Sequence, residues 1–397
     1  MKWTQCELGD VVTFKSGGTP SKSDPELWGG DIPWVSTKEL KSGCIYTTES
    51  RVTDKAIKNK KQLVEPGTVL IAVRGMVLAK AFPVSVAMRS MIFNQDIKAV
   101  IPRDGLLHEY LPYLLRGHHD ELRALADEAA HGTKRIQTDR LLSFPIKLPP
   151  APVQGCITAI LSAYDDLIEN NTRRIEILEE MARRLYEEWF VHFRFPGHEK
   201  VSFKESELGR VPEGWESGAL QDVILLQRGF DLPVKKRTPG DFPIVSATGV
   251  SGTHVEAKVD GPGVITGRSG SIGKVMYVHG SYWPLNTTLW GKAFPLGSSL
   301  FAFYTLSAID LKSFNVGAAV PTLNRNDIHG LPVAVPNKEI IASFDQAVGP
   351  IHKLMVTLEK KNSNLRAQRD MLLPKLVSGE IDLSDIPMPN DKEVEAA

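Results

Sequence analysis

The sequence predicts an α+β chain in which two α/β domains, related by a pseudo-twofold internal repeat, are separated by a pair of long antiparallel coiled-coil helices. Three observations predict this architecture: short motifs that recur in both halves, a 3.5-residue apolar repeat closing each half, and opposite net charges on those two repeats. At 397 residues, with 42% hydrophobic and 24% charged, the chain is long enough for two or three folded domains. The predicted segments are a first domain at 1–152, a first coiled-coil helix at 153–195, a second domain at 196–337, a second coiled-coil helix at 338–378, and an acidic, disordered tail at 379–397.

Four short matches in the same order carry the internal repeat. Residues 8–17 recur as 220–229, residues 32–36 recur as 242–246, and residues 144–146 recur as 331–333. Between them, Pro66-Gly67 followed by Arg74 and Lys80 recurs as Pro262-Gly263 followed by Arg268 and Lys274. Each match alone is common strand-and-turn chemistry, but four in one order indicate a duplication.

Short β-rich runs between Gly, Pro and Asn residues predict the strands of both domains. These runs are 11–14, 32–36, 69–73 and 96–101 in the first half, and 243–246, 263–266, 274–278 and 289–294 in the second. Helix-like stretches are predicted around 107–115 and 300–307. The long polar loops between these elements are the expected places for recognition.

Each half ends in a predicted coiled-coil seam of about four heptads. The first seam is Leu161, Tyr164, Ile168, Asn171, Ile175, Leu178, Ala182, Leu185 and Trp189, and the second, 187 residues later, is Val348, Ile351, Met355, Leu358, Asn362, Leu365, Arg369, Leu372 and Leu376. An amphipathic helix packed on a globular core is the alternative, but so long a strict repeat favours a helix-on-helix seam. Asn171 and Asn362 are either buried register-setting residues or tolerated at a wet end.

Charge counting indicates that the two helices pair with each other. Residues 154–192 carry a net charge of −4 and residues 338–376 a net charge of +3, which favours pairing. An antiparallel arrangement is expected because each helix leaves its domain in the same relative direction. The last 21 residues carry −5, so the balance of 47 basic and 47 acidic residues conceals two mildly basic halves, +4 over 1–153 and +2 over 193–337. This distribution supports a polyanionic partner.

The cysteines and the hydropathy pattern predict a cytoplasmic protein without a membrane partner. Cys6, Cys44 and Cys156 are too few and too scattered for a disulfide framework or a zinc site, which fits a reducing cytosol. The longest apolar run, residues 68–73, is far shorter than a membrane span.

Candidate nucleic-acid contacts cluster in glycine-rich and basic loops. Residues 17–22 and 228–237 follow the first strand of each half and mix Gly and Pro with hydroxyls and cations, which suits phosphate contact. Segment 267–274 does not fit a nucleotide-phosphate loop, because Arg268 stands where that motif needs its leading glycine and Val275 where it needs a hydroxyl. It predicts a hairpin that presents Arg268 and Lys274, with Arg74 and Lys80 as equivalents in the first half.

Arginine suits guanine, and Asn94, Gln95 and Asn286 suit adenine. The full set of predicted DNA-binding residues is Lys15, Thr19, Lys22, Arg74, Lys80, Asn94, Gln95, Lys134, Arg135, Arg228, Lys235, Lys236, Arg237, Arg268, Ser269, Lys274, Asn286 and Arg325. A turn or capping role is the alternative for each.

No catalytic or metal site is predicted. The signature of an amino-methyltransferase is missing, its nearest approach being Leu-Pro-Pro-Ala at 148–151, and His118-His119 has no second ligand set, so a solvated helix face is expected. Two alternatives stay open: a nuclease using Asp31, Glu39 and Lys41, and a coiled-coil adaptor without a nucleic-acid role.

Several segments resemble a known family over residues 1–386. They are Leu-Gly-Asp at 8–10, Ser-Gly-Gly-Thr-Pro-Ser at 16–21, Trp-Gly-Gly-Asp-Ile-Pro-Trp at 28–34, Arg-Gly-Phe-Asp-Leu-Pro at 228–233, Gly-Arg-Ser-Gly-Ser-Ile-Gly-Lys at 267–274, Trp-Pro-Leu-Asn-Thr-Thr at 283–288 and Leu-Leu-Pro-Lys-Leu-Val-Ser-Gly-Glu-Ile at 372–381. With them the chain resembles the specificity subunit of type I restriction–modification systems. One departure is Pro-Val-Gln at 152–154, where the family often has Pro-Glu-Gln, and it bears on the helix N-terminus.

The resemblance implies two target-recognition domains, each reading half of an interrupted double-stranded DNA site, and two helices that set the gap and dock modification subunits, two of them expected. Those partners would carry S-adenosylmethionine and methylate adenine, and a further restriction subunit would use ATP and Mg to translocate and cleave. The chain itself would bind no cofactor and catalyse nothing. A helix of about 30 residues spans roughly 45 Å, more than the ~34 Å between successive major-groove faces.

Overall fold

The computed structural model describes residues 3–41, 43–57, 63–128 and 133–383. The chain divides into two compact units: unit 1 is Met1–Glu169 with Asn362–Ala397, and unit 2 is Asn170–Lys361. This division differs from the predicted domain boundaries, because each unit includes part of both long helices.

Unit 1 is an α+β unit built on a five-stranded sheet. Its strands are β1 (Thr4–Glu7), β2 (Val12–Ser16), β3 (Trp28–Val35), β4 (Gly43–Ile45), β5 (Arg51–Val52), β6 (Val69–Ala72), β7 (Val84–Ala87), β8 (Ile92–Phe93), β9 (Ile97–Pro102), β10 (Asp127–Glu128), β11 (Lys134–Arg135) and β12 (Pro145–Leu148). Its helices are α1 (Leu8–Val11), α2 (Leu111–Gly117), α3 (His119–Ala124), α4 (Thr138–Leu142) and the first part of α5 (Ala151–Tyr186). The strand orders are β2-β9-β6-β7-β4, β5-β3-β8, β1-β12 and β10-β11.

Unit 2 repeats this plan with different loops. Its strands are β13 (Phe203–Ser206), β14 (Gly209–Pro212), β15 (Glu216–Ala219), β16 (Leu225–Arg228), β17 (Phe242–Ser246), β18 (Gly249–His254), β19 (Gly263–Gly267), β20 (Val275–Val278), β21 (Trp283–Pro284), β22 (Thr288–Ala293) and β23 (Pro332–Val335). Its helices are α6 (Leu220–Val223), α7 (Ser299–Ser307), α8 (Arg325–His329) and the first part of α9 (Lys338–Ser378). The strand orders are β16-β22-β19-β20, β18-β17-β21, β15-β23 and β13-β14.

The two strand orders confirm the predicted internal repeat. Strands β2-β9-β6-β7 correspond to β16-β22-β19-β20, and β5-β3-β8 correspond to β18-β17-β21. In both three-stranded sheets the middle strand pairs in parallel with the last strand, β8 or β21. The α+β fold class with repeated domains and long helices is therefore as predicted.

The predicted strand bounds lie within two residues of the observed ones except at β3, which begins at Trp28, four residues before the predicted start, and one shift at Val11 is instructive. Val11 was expected in a strand but closes the helical turn α1, because the Asp10 carboxylate accepts a hydrogen bond from the Glu7 backbone N–H at 2.9 Å and holds that turn. Asp222 does the same for the Ala219 N–H at 2.8 Å in α6.

Helix α5 begins at Ala151 in spite of the missing glutamate noted in the sequence. Gln154 is fully buried there. Its Oε1 accepts from the Leu107 backbone N–H at 2.8 Å, and its Nε2 donates to the carbonyl oxygens of Gly105 and Pro149 at 2.7 and 2.9 Å. These three bonds attach the start of the helix to the domain.

Within unit 1, α5 and α9 pack side by side and antiparallel. The Asn362 Nδ2 donates to the Ile168 carbonyl oxygen at 3.2 Å, and Arg369 forms an ion pair with Asp165. The later residue of α9 contacts the earlier residue of α5, so the two helices run in opposite directions. Leu161 is fully buried in the core of this unit with residues of the α9 end.

Within unit 2 the same two helices pack antiparallel through aromatic residues. The rings of Tyr186 and Trp189 lie 6.2 and 5.9 Å from the Phe344 ring. Earlier in α5, Glu179 lies close enough to Glu359 to add to burial in raising the pKa of that carboxyl. The chain continues from α5 into a π-helical turn at Glu187–Val191.

All eighteen predicted seam residues are buried or half-buried. Other apolar residues of these helices, such as Leu167, Met181 and Met371, are more than half exposed. Packing on a globular core, the alternative considered from the sequence, also occurs, because Leu161 and Ala182 belong to the cores of their domains.

The start of the predicted disordered tail is packed instead. Leu383 is only 5% exposed and Ile381 contacts the same unit 1 core, because both are apolar residues directly after α9. Residues 384–397 lie outside the described part of the chain. In the part that the structure describes, no helix has the length and apolar character that a membrane crossing needs.

Candidate nucleic-acid interface

Three loops of unit 1 meet at one end of its large sheet. Strand β2 ends with Ser16 opposite Lys98 of β9, and β6 ends with Ala72 opposite Ile97 of β9. The segments that leave these strands, together with β11, are residues 17–22, 74–80, 94–96 and 134–135, and we call them the unit 1 loop cluster.

Direct bonds connect five of the predicted residues in this cluster. Thr19 Oγ1 donates to Gln95 Oε1 at 2.8 Å. Arg74 pairs with Arg135 through a backbone bridge, and the next residue, Gly75, donates its N–H to the Lys134 carbonyl oxygen at 2.9 Å. The Arg74 N–H also donates to the carbonyl oxygen of Asp96, the residue after Gln95, at 3.2 Å. Two hydrogen-bonding side chains and three cations therefore share one surface.

Of the other cations predicted in the first half, Lys22 and Lys80 belong to this cluster and Lys15 lies just before it. Lys15 is exposed on β2, and Lys22 is exposed in the following loop. Lys80 follows a 3₁₀ turn and its carbonyl oxygen accepts from Arg123 of α3 at 3.3 Å. Lys134 forms an ion pair with Glu128 at 3.3 Å.

Asn94 does not fit its predicted role as a base reader. It is 7% exposed, its Oδ1 accepts from the Asp96 N–H at 3.1 Å, and its Nδ2 donates to an Asp96 carboxylate oxygen at 3.4 Å. These bonds hold the tight turn between β8 and β9 together, so Asn94 shapes the surface instead of lying on it.

The equivalent sheet end of unit 2 carries a second cluster. Arg228 at the end of β16 lies opposite Leu289, and Gly267 at the end of β19 lies opposite Thr288. The segments that meet there are residues 228–237, 268–274, 285–287 and 320–323, and we call them the unit 2 loop cluster.

Asn286 is the centre of the unit 2 loop cluster. Its Nδ2 donates to the Asp231 carboxylate, which also forms an ion pair with Arg228 at 3.6 Å. Its carbonyl oxygen accepts from Arg268 Nη1 at 3.2 Å. Ser269 lies beside it, donating its N–H to the Thr287 carbonyl oxygen at 3.1 Å.

The remaining cations predicted in the second half lie in turns. Lys235 and Lys236 are exposed in a 3₁₀ turn, and Arg237 donates from Nε to the Leu232 carbonyl oxygen at 3.2 Å. Lys274 is exposed just before β20, as the hairpin prediction requires. Arg325 is exposed at the first position of α8, where its Nη1 donates to the carbonyl oxygen of Leu226 at 3.5 Å.

The hydrogen bonds of the two clusters give a residue-by-residue correspondence. Gly75 donates to the carbonyl of Lys134, and Gly270 donates to that of Pro321 in the same way. Arg74 therefore corresponds to Ser269, not to Arg268 as the sequence match suggested; Arg268 corresponds to Val73, which precedes it.

Three further pairs of equivalent residues follow from the same bonds. They are Thr19 with Asp231, Gln95 with Asn286, and Arg135 with Thr322. Asp231 and Thr322 are not among the residues predicted from the sequence. The signal for Asp231 was present, because the repeat of 8–17 with 220–229, extended by two residues, aligns it with Thr19.

The residues of the nuclease alternative do not form a metal site. The Glu39 carboxylate accepts from the backbone N–H and hydroxyl of Ser36 at 2.9 and 2.6 Å, and so closes a local turn. Among the described residues no group of three or more His, Cys, Asp or Glu side chains is placed to hold a metal ion.

The adjacent histidines His118 and His119 are half-buried, although a solvated helix face was expected for them. His119 Nε2 accepts from the Phe82 backbone N–H at 3.0 Å. Burial lowers the pKa of His118, with Glu121 opposing the shift.

Known proteins are similar to this chain in sequence and in fold. The model of the type I restriction modification DNA specificity domain matches residues 1–180 and 212–363. The MjaIX specificity subunit of Methanocaldococcus jannaschii is 28% identical over 97% of this chain and 94% of its own length. The EcoR124I/EcoR124II specificity subunit of Escherichia coli is 30% identical over 49% of each chain. The crystal structure of a type I restriction–modification S subunit from M. genitalium has the same fold, with a TM-score of 0.58 and 17% identity over 95% of this chain and 96% of that one.

The family match spans most of the chain and occurs once in each half. Each unit accordingly contains one target-recognition domain, and relatives that align along the chain are named specificity subunits, the component of these systems without catalytic activity. The chain belongs to the family of DNA specificity subunits of type I restriction–modification systems.

Proposed function

We propose that this chain reads a bipartite, asymmetric site in double-stranded DNA, one half with each loop cluster, and scaffolds the subunits that modify and cut that DNA. The observation that carries the proposal is a repeated backbone frame whose equivalent loop positions hold different side chains. Four such pairs differ: Thr19 and Asp231, Arg74 and Ser269, Gln95 and Asn286, and Arg135 and Thr322.

The chemistry of each cluster suits DNA. Lysine and arginine contact phosphates and fix the position of a protein on the duplex, whereas amide and guanidinium groups also read base edges. The unit 1 loop cluster offers Arg74, Arg135 and Gln95, and the unit 2 loop cluster offers Arg228, Lys236 and Asn286. Because the side chains differ at equivalent positions, the two half-sites should differ in sequence.

The paired helices are proposed to set the number of base pairs between the half-sites. Helices α5 and α9 are 36 and 41 residues long, and their antiparallel contacts are specific: Asn362 bonds to Ile168, and Arg369 to Asp165. Specific contacts of this kind fix the register of two paired helices. The length of the paired segment is therefore fixed as well.

The partner proteins in this proposal are adenine methyltransferase subunits, two of them expected, and restriction subunits that translocate DNA. S-adenosylmethionine, ATP and Mg would be bound by those partners. This chain would contribute DNA recognition and assembly.

Mapping methylated adenines tests the proposed reading of DNA. A host lacking its own modification systems would express the chain with its modification subunits, and its genome would be sequenced for methylated adenine. We expect one asymmetric motif of two short blocks at a constant separation. A single continuous motif, or methylation with no motif, would contradict the proposal.

A matched deletion tests the role of the helices. Removing two heptads from both, residues 168–181 and 349–362, takes out segments that face each other and leaves the rest in register. We expect methylation of the same two blocks at a shorter separation. Deleting 168–181 alone is the control and should prevent assembly, because α5 then loses its match to α9. An unchanged separation of the two blocks after the matched deletion would refute the proposal that the helices set this separation.

A further inference from the structure

One pair of side chains recurs at the same place in both loop clusters, with its hydrogen-bond direction reversed. In unit 1 the Thr19 hydroxyl donates to Gln95 Oε1, and in unit 2 the Asn286 Nδ2 donates to Asp231. The backbone around both pairs is equivalent, since Gly18 and Phe230 donate to the carbonyl oxygens of β8 and β21 in the same way.

The chemistry of Asp231 leaves only one orientation for Asn286. An ionised carboxylate accepts hydrogen bonds and cannot donate, so the amide nitrogen of Asn286 must face it. The amide oxygen, Oδ1, is then turned away from Asp231. A hydroxyl or an amide at position 231 would not impose this choice, because each can both donate and accept.

Neighbouring groups hold both members of the pair in place. Arg228 forms an ion pair with the Asp231 carboxylate at 3.6 Å, on the same side of the loop as Asn286. Arg268 donates to the backbone carbonyl of Asn286, and the turn that contains Asn286 is closed by a bond from the Thr288 N–H to the Leu285 carbonyl at 2.9 Å. These two bonds hold the backbone of Asn286, and the bond to Asp231 orients its side-chain amide.

We propose that Asp231 is a positioning residue that directs the Asn286 Oδ1 to accept from the exocyclic amino group of a base, adenine or cytosine, in the second half-site. This inference rests on the proposed reading of DNA. In the first half-site Thr19 imposes no such choice on Gln95, because its hydroxyl donates to the Gln95 oxygen here but could equally accept from the amide nitrogen.

The test measures base preference for the whole complex. The chain, assembled with its modification subunits, is titrated with duplexes that carry the mapped site and every single base-pair substitution in both blocks. At one base pair of the second half-site we expect substitutions that remove the amine to weaken binding about tenfold or more. Adenine and cytosine duplexes at this pair decide which amine is read.

The key variant is Asp231→Asn, which preserves shape and lets the Asn286 amide take either orientation. We expect its discrimination at that base pair to fall to within a few-fold, with preferences in the first half-site unchanged. Thr19→Val is the reciprocal variant, which should alter only the first half-site. Asp241→Asn removes an exposed carboxylate of the same unit and should leave every base preference as it was.

A double variant guards against a purely structural effect. Asp231→Asn with Asn286→Asp keeps a donor and an acceptor in contact and still presents an oxygen to the DNA, so it should restore the preference for the amine-bearing base. Unchanged preferences in Asp231→Asn, or equal changes in both half-sites, would overturn the inference. A wild-type complex without base preference in the second block would instead refute the proposed function itself.

Discussion

Unit 1 and unit 2 share a strand order and loop backbone, yet they differ at the side chains that face outward from the loop clusters. What they share is enforced by tight packing: a Cβ on Gly17 or Gly229 would lie 2.1 or 2.2 Å from a carbonyl oxygen, so both positions need glycine. The outward side chains meet no such limit. The comparison shows that the frame is set by close contacts and that recognition can vary without disturbing it.

The two units also differ in how they hold the long helices. Unit 2 packs α5 on α9 through rings, with Tyr186, Phe190 and Phe344 in mutual contact. Unit 1 uses aliphatic residues around Leu161 and a polar group around Asp165. The same helix pair is therefore held by aromatic packing in one unit and by mixed apolar and charged contacts in the other.

The largest effect is expected from removing the aromatic contact. Phe344→Ala should cost about 3–5 kcal/mol, because Phe344 is fully buried among the rings of unit 2. Amide hydrogen exchange should show protection lost first in unit 2. Leu161→Ala is the matched variant, expected to cost about 2–5 kcal/mol with the loss first in unit 1. Equal loss in both units for each variant would show that the two cores are not separate.

Acid should weaken unit 2 through His352. This residue is 4% exposed, its Nε2 lies 2.8 Å from the Tyr304 hydroxyl, and burial together with the nearby His279 lowers its pKa from 6.5 to about 4. The folded state favours the neutral imidazole, so its contribution is complete above pH 6.5 and is lost as the pH falls towards 4. The loss approaches about 3 kcal/mol.

Urea unfolding between pH 7 and 4.5 measures this effect. His352→Gln keeps an acceptor for the Tyr304 hydroxyl and cannot be protonated, so it should show a smaller loss of unfolding free energy over the same range. An identical pH dependence in both proteins would rule out His352 as the cause.

A smaller effect is expected from the charged contact of unit 1. Asp165 accepts from the Tyr113 hydroxyl at 3.1 Å and pairs with Arg116 and Arg369. Asp165→Asn would leave two half-buried guanidinium groups without their shared counter-charge, at a cost of about 1–3 kcal/mol. Asp370→Asn is the control, because that carboxylate is 62% exposed and its pair with Arg369 is worth under ~1 kcal/mol. Equal unfolding free energies for the two variants would contradict this assignment.

The smallest effect concerns the exposed cations of unit 2. Lys236→Ala should weaken binding of the complex to all DNA sequences alike and reduce the slope of log K against log salt by ~0.9. Asn286→Ala should instead change the preference for one base pair and leave the slope unaltered. A change in base preference for Lys236→Ala would show that it reads bases.

The fold was largely predictable because its signals are local. Short β-rich runs between turn residues marked strands such as β6 and β9, and the 3.5-residue repeat marked α5 and α9 with their pairing. The ends of the helices were harder to assign, because a residue such as Leu161 faces both the partner helix and the domain core, and periodicity does not separate the two.

The loop clusters were less predictable, for a reason that the register of Arg74 illustrates. The strands before the two loops have different lengths, so aligning Arg74 with Arg268 looks correct in sequence but conflicts with the backbone bonds of Gly75 and Gly270. Asn94 likewise looks like a base reader until its bonds within the turn are seen. Long-range hydrogen bonds decide both cases, and sequence spacing does not encode them.

Two equivalent frames are proposed to read one half of the DNA site each, and exchanging one frame separates their contributions. Residues 1–150 would be replaced by the corresponding domain of a relative with a known, different site, and methylated adenines would be mapped before and after. One block of the motif should change while the other block stays the same. A change in both blocks together, or in neither, would contradict this proposal.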